Sequence, residues 1–318
     1  MKAEYIPQTS ADLMTVNAAR VSMDKESTEF TYRKDKPKGS DEGLVSYLAT
    51  HRHWTPFSHV RFTLASDFVF VDLENINPED VASAAWRTDK NKGIFKFRTS
   101  LYGWAHLIKN DLIKEAFRLD VIHFIYKVAP ECAKALLPYA PVRDKPHHLW
   151  QVTDETDPAF IDVTMRETVP IFVARQRFKH MIGTTYNEVS RRYVDDTPDF
   201  YDIAEWRSRP DGSIKQGSGG VHPDNEDMCG YTTTFHNDFR ELYGETIQEG
   251  FAPEQVRSLL PQSMLTSYYV TASLNAWNRA YQQRIDSHAQ KEIQDLAVEW
   301  DNIMLASEHS AIWKSISS

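Results

Sequence analysis

Six basic residues lie between positions 166 and 192: Arg166, Arg175, Arg177, Lys179, Arg191 and Arg192. Only Glu167 and Glu188 oppose them. Guanidinium forks hold phosphate bidentately, so this concentration marks either a site for an anionic ligand or a salt-bridged helix face. Arg284 and His288 stand four residues apart, which puts both on one face of a helix. His51, His53 and His59 raise a metal chemistry, because His-x-His is a metal-ligand spacing. No carboxylate lies among them, and Trp54, Thr55, Pro56 and Phe57 between them are unlike a hydrolase site. A core or ligand-orienting role suits these histidines better, and no metal is expected.

Other chemistries lack their residues. There is no Gly-x-Gly-x-x-Gly, no Walker loop and no Gly-x-Ser-x-Gly elbow. The stretch Lys215-Gln216-Gly217-Ser218-Gly219-Gly220 is glycine-rich but lacks the strand-to-helix context of a phosphate loop, and it reads as a flexible loop. Neither Cys132 nor Cys229 has an activating neighbourhood, so a thiol nucleophile is not expected.

The elements that must position these residues read as α+β, a modest sheet with several helices packed on it. Apolar spacing predicts a helix over residues 11–22, and another from Asp41, a candidate cap, toward His51. Alternation predicts strands at Val60–Leu64 and Phe160–Met165. Helical stretches are expected at Asn110–Val128 and Glu131–Leu137, with Pro138, Pro141, Pro146 and Pro158 breaking up the rest. Pro170 suits the first turn of a helix running through Phe178. A polar loop follows at Asp202–Gly220, with Gly212 inside it. Next come an amphipathic helix at Phe235–Gln248 ended by Gly250, and a short helix from Pro253 through Leu260. Residues from Thr266 to about Leu305 contain no Pro or Gly and read as helical, divided between two or more helices.

Composition bounds the rest. The 318 residues carry 36 Lys plus Arg against 45 Asp plus Glu, a net charge of −9. That excludes a protein coating nucleic acid through a broad basic face, yet it leaves room for a concentrated cationic pocket. With 41% hydrophobic and 12% aromatic residues the chain can fold throughout. No apolar run approaches the roughly 20 residues of a membrane span, and Met1–Tyr5 is unlike a signal peptide. Two cysteines are too few for a disulfide framework, so a cytoplasmic setting is expected.

Four separated segments together resemble the flavin-dependent thymidylate synthases (ThyX). They are Ala18–Ser22, His51–His59 with the Phe62–Leu64 strand, Ala174–His180 continuing through Asn187–Tyr193, and Arg284–Gln290. The resemblance covers roughly residues 11–64 and 161–300. It implies an enzyme that makes dTMP from dUMP, with methylene-tetrahydrofolate supplying the carbon and FAD carrying a hydride from NADPH. It also implies a homotetramer of α+β subunits with active sites shared between them. By similarity, Gln176, Arg177, Glu188, Ser190, Arg191, Arg192 and Arg257 bind dUMP. Arg284 is the catalytic residue at the uracil ring, where a cation stabilises developing negative charge. Ser22, His53, Thr55, Lys179, His180, Glu188, Asn275, Arg279 and His288 are the cofactor-binding set. Lys179 and Met181 stand where the family usually has arginines; the lysine keeps charge without the planar fork. The Lys-His form is similar to phage members, so a viral origin and a host cytoplasm are expected.

The same resemblance divides the chain into a catalytic domain, residues 1–65 and 161–318, and a mainly helical insertion at 66–160. Aromatic residues such as Trp86, Phe97, Trp104 and Phe124 give the insertion a core of its own. It reads either as a stabilising or oligomer-facing elaboration or as a lid or partner-binding module. Two alternatives to thymidylate synthesis use the same residues. One is hydroxymethylation of dUMP or dCMP, and the other is nucleotide binding without flavin.

Overall fold

Two antiparallel four-stranded sheets carry the fold. The computed structural model describes residues 1–7, 10–77, 84–137, 140–141, 145–210 and 217–318. Pro138, Gly212, Lys215 and Gln216, used in the sequence reading, lie outside the described residues. The first sheet runs β1 (Lys2–Tyr5), β6 (Asp162–Pro170), β8 (Leu265–Ser273), β7 (Thr184–Glu188). Its register puts Val163 opposite Ala272, Glu167 opposite Tyr268 and Tyr186 opposite Val270. The second runs β3 (Ala85–Asp89), β4 (Ile94–Ser100), β2 (Arg61–Ser66), β5 (Trp150–Gln151).

β8 corrects the helical expectation at Thr266. The run Thr266-Ser267-Tyr268-Tyr269-Val270-Thr271 lacks breakers, but it is β-branched and aromatic. Such residues suit a pleated surface, and as a central strand β8 is buried on both faces, so it shows no clean alternation. Ser273 then caps α9 (Leu274–Arg284), its Oγ accepting from the Ala276 N–H at 3.3 Å. α10 (Lys291–Ala306) and α11 (Ser310–Ser317) complete this half. Pro170 ends β6 and stands just before α6 (Ile171–Arg177) rather than inside its first turn. α7 (Asn225–Gln248) begins ten residues before the expected Phe235, and Gly250 follows it at φ +88°. α8 (Pro253–Val256) leads into a 3-10 turn at Arg257–Leu259.

On the other side, Ser10 caps α1 (Ala11–Arg20). Ser40, not Asp41, caps α2 (Asp41–Thr50). The Asp41 carboxylate instead accepts from Thr31 and Arg20. The 66–160 segment supplies α3 (Leu101–Lys109), α4 (Glu115–Val128), α5 (Pro130–Leu136) and strands β3, β4 and β5. β2 precedes that segment in sequence yet is flanked by two of its strands.

Two cores result. One packs Val163, Met165, Val270, Trp277, Trp300 and Trp313 between the first sheet and α6, α9, α10 and α11. The other joins Val16 and Val45 of α1 and α2 to Phe70, Phe97, Trp104 and Ile125 of the 66–160 segment. Asp12 on α1 also accepts the Glu131 and Cys132 N–H groups at 3.1 and 2.8 Å, satisfying the first turn of α5. The second core is therefore common to residues 11–65 and 66–160. Among the described residues, no helix is long and apolar enough to cross a membrane.

Candidate active site

α6 ends at Arg177, and the chain turns through Phe178–Gly183 into β7. Gly183 has φ +75°, a conformation that glycine adopts without strain. This turn and the last turn of α9 hold the centre of the site. Arg284 Nε donates to His180 Nε2 at 2.8 Å, and its Nη2 donates to the Gln176 carbonyl at 3.0 Å. Burial, then the charges of Arg177, Arg284 and Arg279, push the His180 imidazole down to about 4. His180 is therefore neutral near pH 7, with a ring nitrogen free to accept. Gln176 is oriented by Gln290, whose Oε1 accepts from Gln176 Nε2 at 2.7 Å.

At the far end of β7, Glu188 accepts from Thr266 Oγ1 at 2.8 Å. Desolvation raises its pKa, opposed by the Thr266 bond and the charge of Arg257. The Ser190 N–H donates to the Ser22 carbonyl at 2.9 Å, tying this segment to the turn after α1. Arg192 Nε donates to Ser190 Oγ at 3.3 Å. Arg191 faces Asp196 and lies 5.9 Å from the Tyr243 ring centre. Arg257 is exposed and donates to the Glu254 carbonyl. Glu188, Ser190, Arg192 and Arg257 thus offer acceptors and cations along one surface, suited to a polar anion.

Arg177 departs from its expected role. Its side chain is 1% exposed and turned into the first core, where Nε donates to both Glu167 oxygens at 3.2 Å. It also lies 4.7 Å from the ring centres of Trp277 and Trp300. A guanidinium committed in this way does not reach a phosphate; the sequence spacing shows the charge but not which way it points.

The cofactor set divides. Arg279 Nη2 donates to the Ile182 carbonyl at 2.5 Å, and exposed Lys179 lies on the same turn. Between them Met181 and Ile182 are 72% and 77% exposed, an unusual placement for apolar side chains. A flavin combines a flat apolar ring with an anionic pyrophosphate, and an apolar pair flanked by cations fits both. Asn275, at the start of α9, is exposed. His288 is exposed and held by Asp286 at 2.9 Å. His53 and Thr55 are exposed on the 51–59 turn; the His53 ring lies 6.0 Å from that of Tyr47. No described hydrogen bond joins these two residues to Lys179 or His180.

His59 points away from the other two histidines. It is buried, with Nδ1 2.7 Å from Thr271 Oγ1 and Nε2 3.2 Å from Asn187 Oδ1. Burial and then Arg61 push it down to about 3, so it is neutral. Arg61 beside it binds Asp162, Thr185 and the carbonyls of Gly183 and Thr271. Glu167, Tyr186, Gln290 and Arg61 support the site without having been assigned a role from sequence, whereas His59 takes a core position, one of the roles expected of it. The neighbours of the supporting residues in sequence are mixed or polar, as in Thr184-Thr185-Tyr186-Asn187-Glu188 and His288-Ala289-Gln290-Lys291, so local pattern does not single them out.

The sequence profile of the family described as thymidylate synthase complementing protein matches residues 5–72 and 147–307. The chain belongs to this family. The flavin-dependent thymidylate synthase of Thermosipho africanus is 32% identical over 161 residues, covering 49% of this chain and 68% of that protein. The enzyme of that name from Aquifex aeolicus is 29% identical over 311 residues, covering 90% of this chain and 92% of its own, so the alignment extends into residues 66–160. The crystal structure of a UMP/dUMP methylase PolB from Streptomyces cacaoi bound with 5-Br UMP aligns over 99% of this chain, at 18% identity and a TM-score of 0.44. The two stretches that match the thymidylate synthase complementing family contain every residue of the Arg284–His180–Gln176 centre and of the Glu188–Arg192 surface.

Proposed function

We propose that this protein is a flavin-dependent thymidylate synthase that methylates carbon 5 of dUMP to give dTMP. In this reading methylene-tetrahydrofolate supplies the carbon and NADPH the reducing equivalents. The observation that carries the proposal is the Arg284–His180–Gln176 cluster beside an anion-binding surface, in a chain of this family. Neutral His180 accepts from Arg284 Nε, so Nη1 of Arg284 is left for the pyrimidine. A fixed cation there stabilises negative charge as it develops on the ring. Ser190, Arg191, Arg192 and Arg257 take the phosphate, and Glu188 and Gln176 take polar edges of the nucleotide. Bound flavin would supply the hydride chemistry, with Lys179, His180 and Arg279 on its side of the turn. Ser22, His53, Thr55, Asn275 and His288 complete that surface.

A homotetramer with shared sites belongs to the same reading. α7 buries only His236 and Tyr243, and it leaves Tyr231, Phe235 and Leu242 exposed, a face that a second subunit would cover. Residues 1–65 and 161–318 hold all the assigned residues, which supports treating 66–160 as an elaboration of a catalytic domain. A cytoplasmic setting fits two free cysteines.

The test is incubation with dUMP, FAD, NADPH and methylene-tetrahydrofolate, followed by mass analysis of the nucleotide. A methyl product is expected. A hydroxymethyl product, which the relatives' names do not favour, or turnover of dCMP alone would overturn the proposal.

A further inference from the structure

We propose that the buried Glu167–Arg177 pair and Tyr186 form a positioning network that aims Arg284 through His180. This inference rests on the nucleotide-site reading above. The network starts in the core. Tyr268 Oη donates to Glu167 Oε2 at 2.5 Å, and both Glu167 oxygens accept from Arg177 Nε. Arg177 Nη1 donates to Tyr186 Oη at 2.6 Å. That hydroxyl lies 3.1 Å from the Arg177 carbonyl and 2.9 Å from the His180 carbonyl, pinning both ends of the turn that carries His180. His180 then accepts from Arg284. Five bonds therefore run from a strand at the centre of the sheet to the guanidinium at the site.

Stability alone does not call for such a pair. Buried ion pairs can often be replaced by apolar side chains of similar volume without loss. The surroundings are already apolar, with Trp277 and Trp300 against the guanidinium. Apolar side chains could fill this space, but they cannot direct a donor at Tyr186 or hold a positive charge behind His180. The charge matters because His180 must keep a lone pair on Nε2. The charged and titratable groups facing it are Arg177 from α6, Arg279 and Arg284 from α9, and Tyr186 from β7. Three are cations, and each disfavours the imidazolium. Glu167 balances Arg177 from the far side, which keeps that cation in the core.

The experiment compares dUMP affinity of wild-type protein with that of the double variant Glu167→Leu, Arg177→Met by calorimetry. Measurements run from about pH 8 down to about pH 4.5, spanning the histidine range. The ratio of the two affinities cancels titration of the substrate phosphate. Without Arg177 the His180 pKa rises, while burial and the charges of Arg284 and Arg279 still hold it below its ordinary value; the variant is therefore expected to weaken relative to wild type toward the acid end of this range. A ratio that does not change with pH overturns the inference, since a merely structural loss has no reason to follow His180. If the double variant does not fold, Tyr186→Phe removes one oxygen and leaves the ion pair. It is expected to weaken dUMP binding about tenfold and to lower the melting temperature, because Arg177 Nη1 loses its acceptor; unchanged affinity in the folded variant overturns the inference. Wild-type protein that binds no dUMP at any pH sinks the nucleotide reading and this inference together. Wild-type binding with a flat ratio sinks the inference alone.

Discussion

The two sheets are built from different materials. Around β2 and β4 the core is almost entirely aromatic and aliphatic. Phe62 and Phe97 both pack on Trp104 with ring centres 5.4 Å away, and Phe70 packs edge-on against Phe95. Buried carboxylates on this side accept backbone N–H groups, as where Asp12 takes the first N–H groups of α5 and Asp120 takes those of His147 and His148. Around β6 and β8 an ion pair sits in the middle of the core, and a hydrogen-bonded chain continues outward through neutral Tyr186 and His180 to Arg284. A core that only holds a shape can be apolar throughout. One that must also orient a cation needs directional bonds inside it. Between the two lies a polar seam, where Arg61 and Arg98 both bind Asp162.

Trp104→Ala tests the first half of this contrast. Trp104 is fully buried, and its indole N–H donates to the Phe62 carbonyl at 3.3 Å. Removing it is expected to reduce unfolding free energy by about 3–5 kcal/mol, read from urea titrations. Turnover per folded molecule should stay close to wild type. A loss of turnover in the folded fraction would join the second core to the chemistry and end the distinction.

Arg284→Ala tests the other half. Its expected effect is a fall in turnover of roughly 10²–10³-fold, the scale for removing one preorganised donor at a developing charge. The residue is only partly buried, so the urea midpoint should hardly move. A variant that keeps its turnover removes Arg284 from the chemistry, whatever happens to nucleotide affinity.

The seam carries a pH signature. His59 titrates at about 3 in the fold against an ordinary 6.5, because it is buried and faces Arg61. Below pH 6.5 the unfolded chain takes up a proton that the folded chain refuses. Stability contributed by His59 is thus complete above about 6.5, declines as pH falls, and is lost by about 3. Between pH 6.5 and 5 the loss is about 2 kcal/mol. His180 acts in the same direction with its folded value near 4. Urea midpoints at neutral and mildly acid pH should therefore diverge less in His59→Gln than in wild type. Equal divergence would show that His59 is not the group that titrates.

How much of this was legible depended on whether one residue's neighbours in sequence were also its neighbours in space. α1, α2, β2 and β6 show in their own apolar spacing or alternation, although α1 and β2 are buried nearly all round. β8 was hidden because a strand buried on both faces has no alternation, and its lack of Pro and Gly suits a helix equally well. β1 and β7 are short and half-polar, with patterns that depend on the strand alongside. In the site, the basic cluster was visible as charge. Its division was not: Arg177 goes inward to Glu167, whereas Arg191 and Arg192 stay outside. Partners such as Tyr268 for Glu167 or Thr271 for His59 are separated by a hundred residues or more, so spacing carries no trace of them.

The smallest expected effect is the sharpest on locality. Gly183 and Gly93 both have positive φ, +75° and +68°, the first in the site turn and the second between β3 and β4. An added Cβ at Gly183 would meet the Ala276 Cβ at 3.3 Å, whereas at Gly93 it meets nothing within 4 Å. Alanine at either position should lower stability by about 1–2 kcal/mol through the left-handed backbone alone. Their consequences for ligands should differ. Gly183 also gives its carbonyl to Arg61 at 3.1 Å and sets the course of Met181 and Ile182. Gly183→Ala is therefore expected to weaken FAD binding, followed by flavin fluorescence, while dUMP affinity holds, because Gln176 and Arg284 lie on the helices at either side. Gly93→Ala should change neither. If Gly183→Ala weakens dUMP as much as FAD, the turn supports both halves of the site, and the contrast lies between the two cores rather than within one of them.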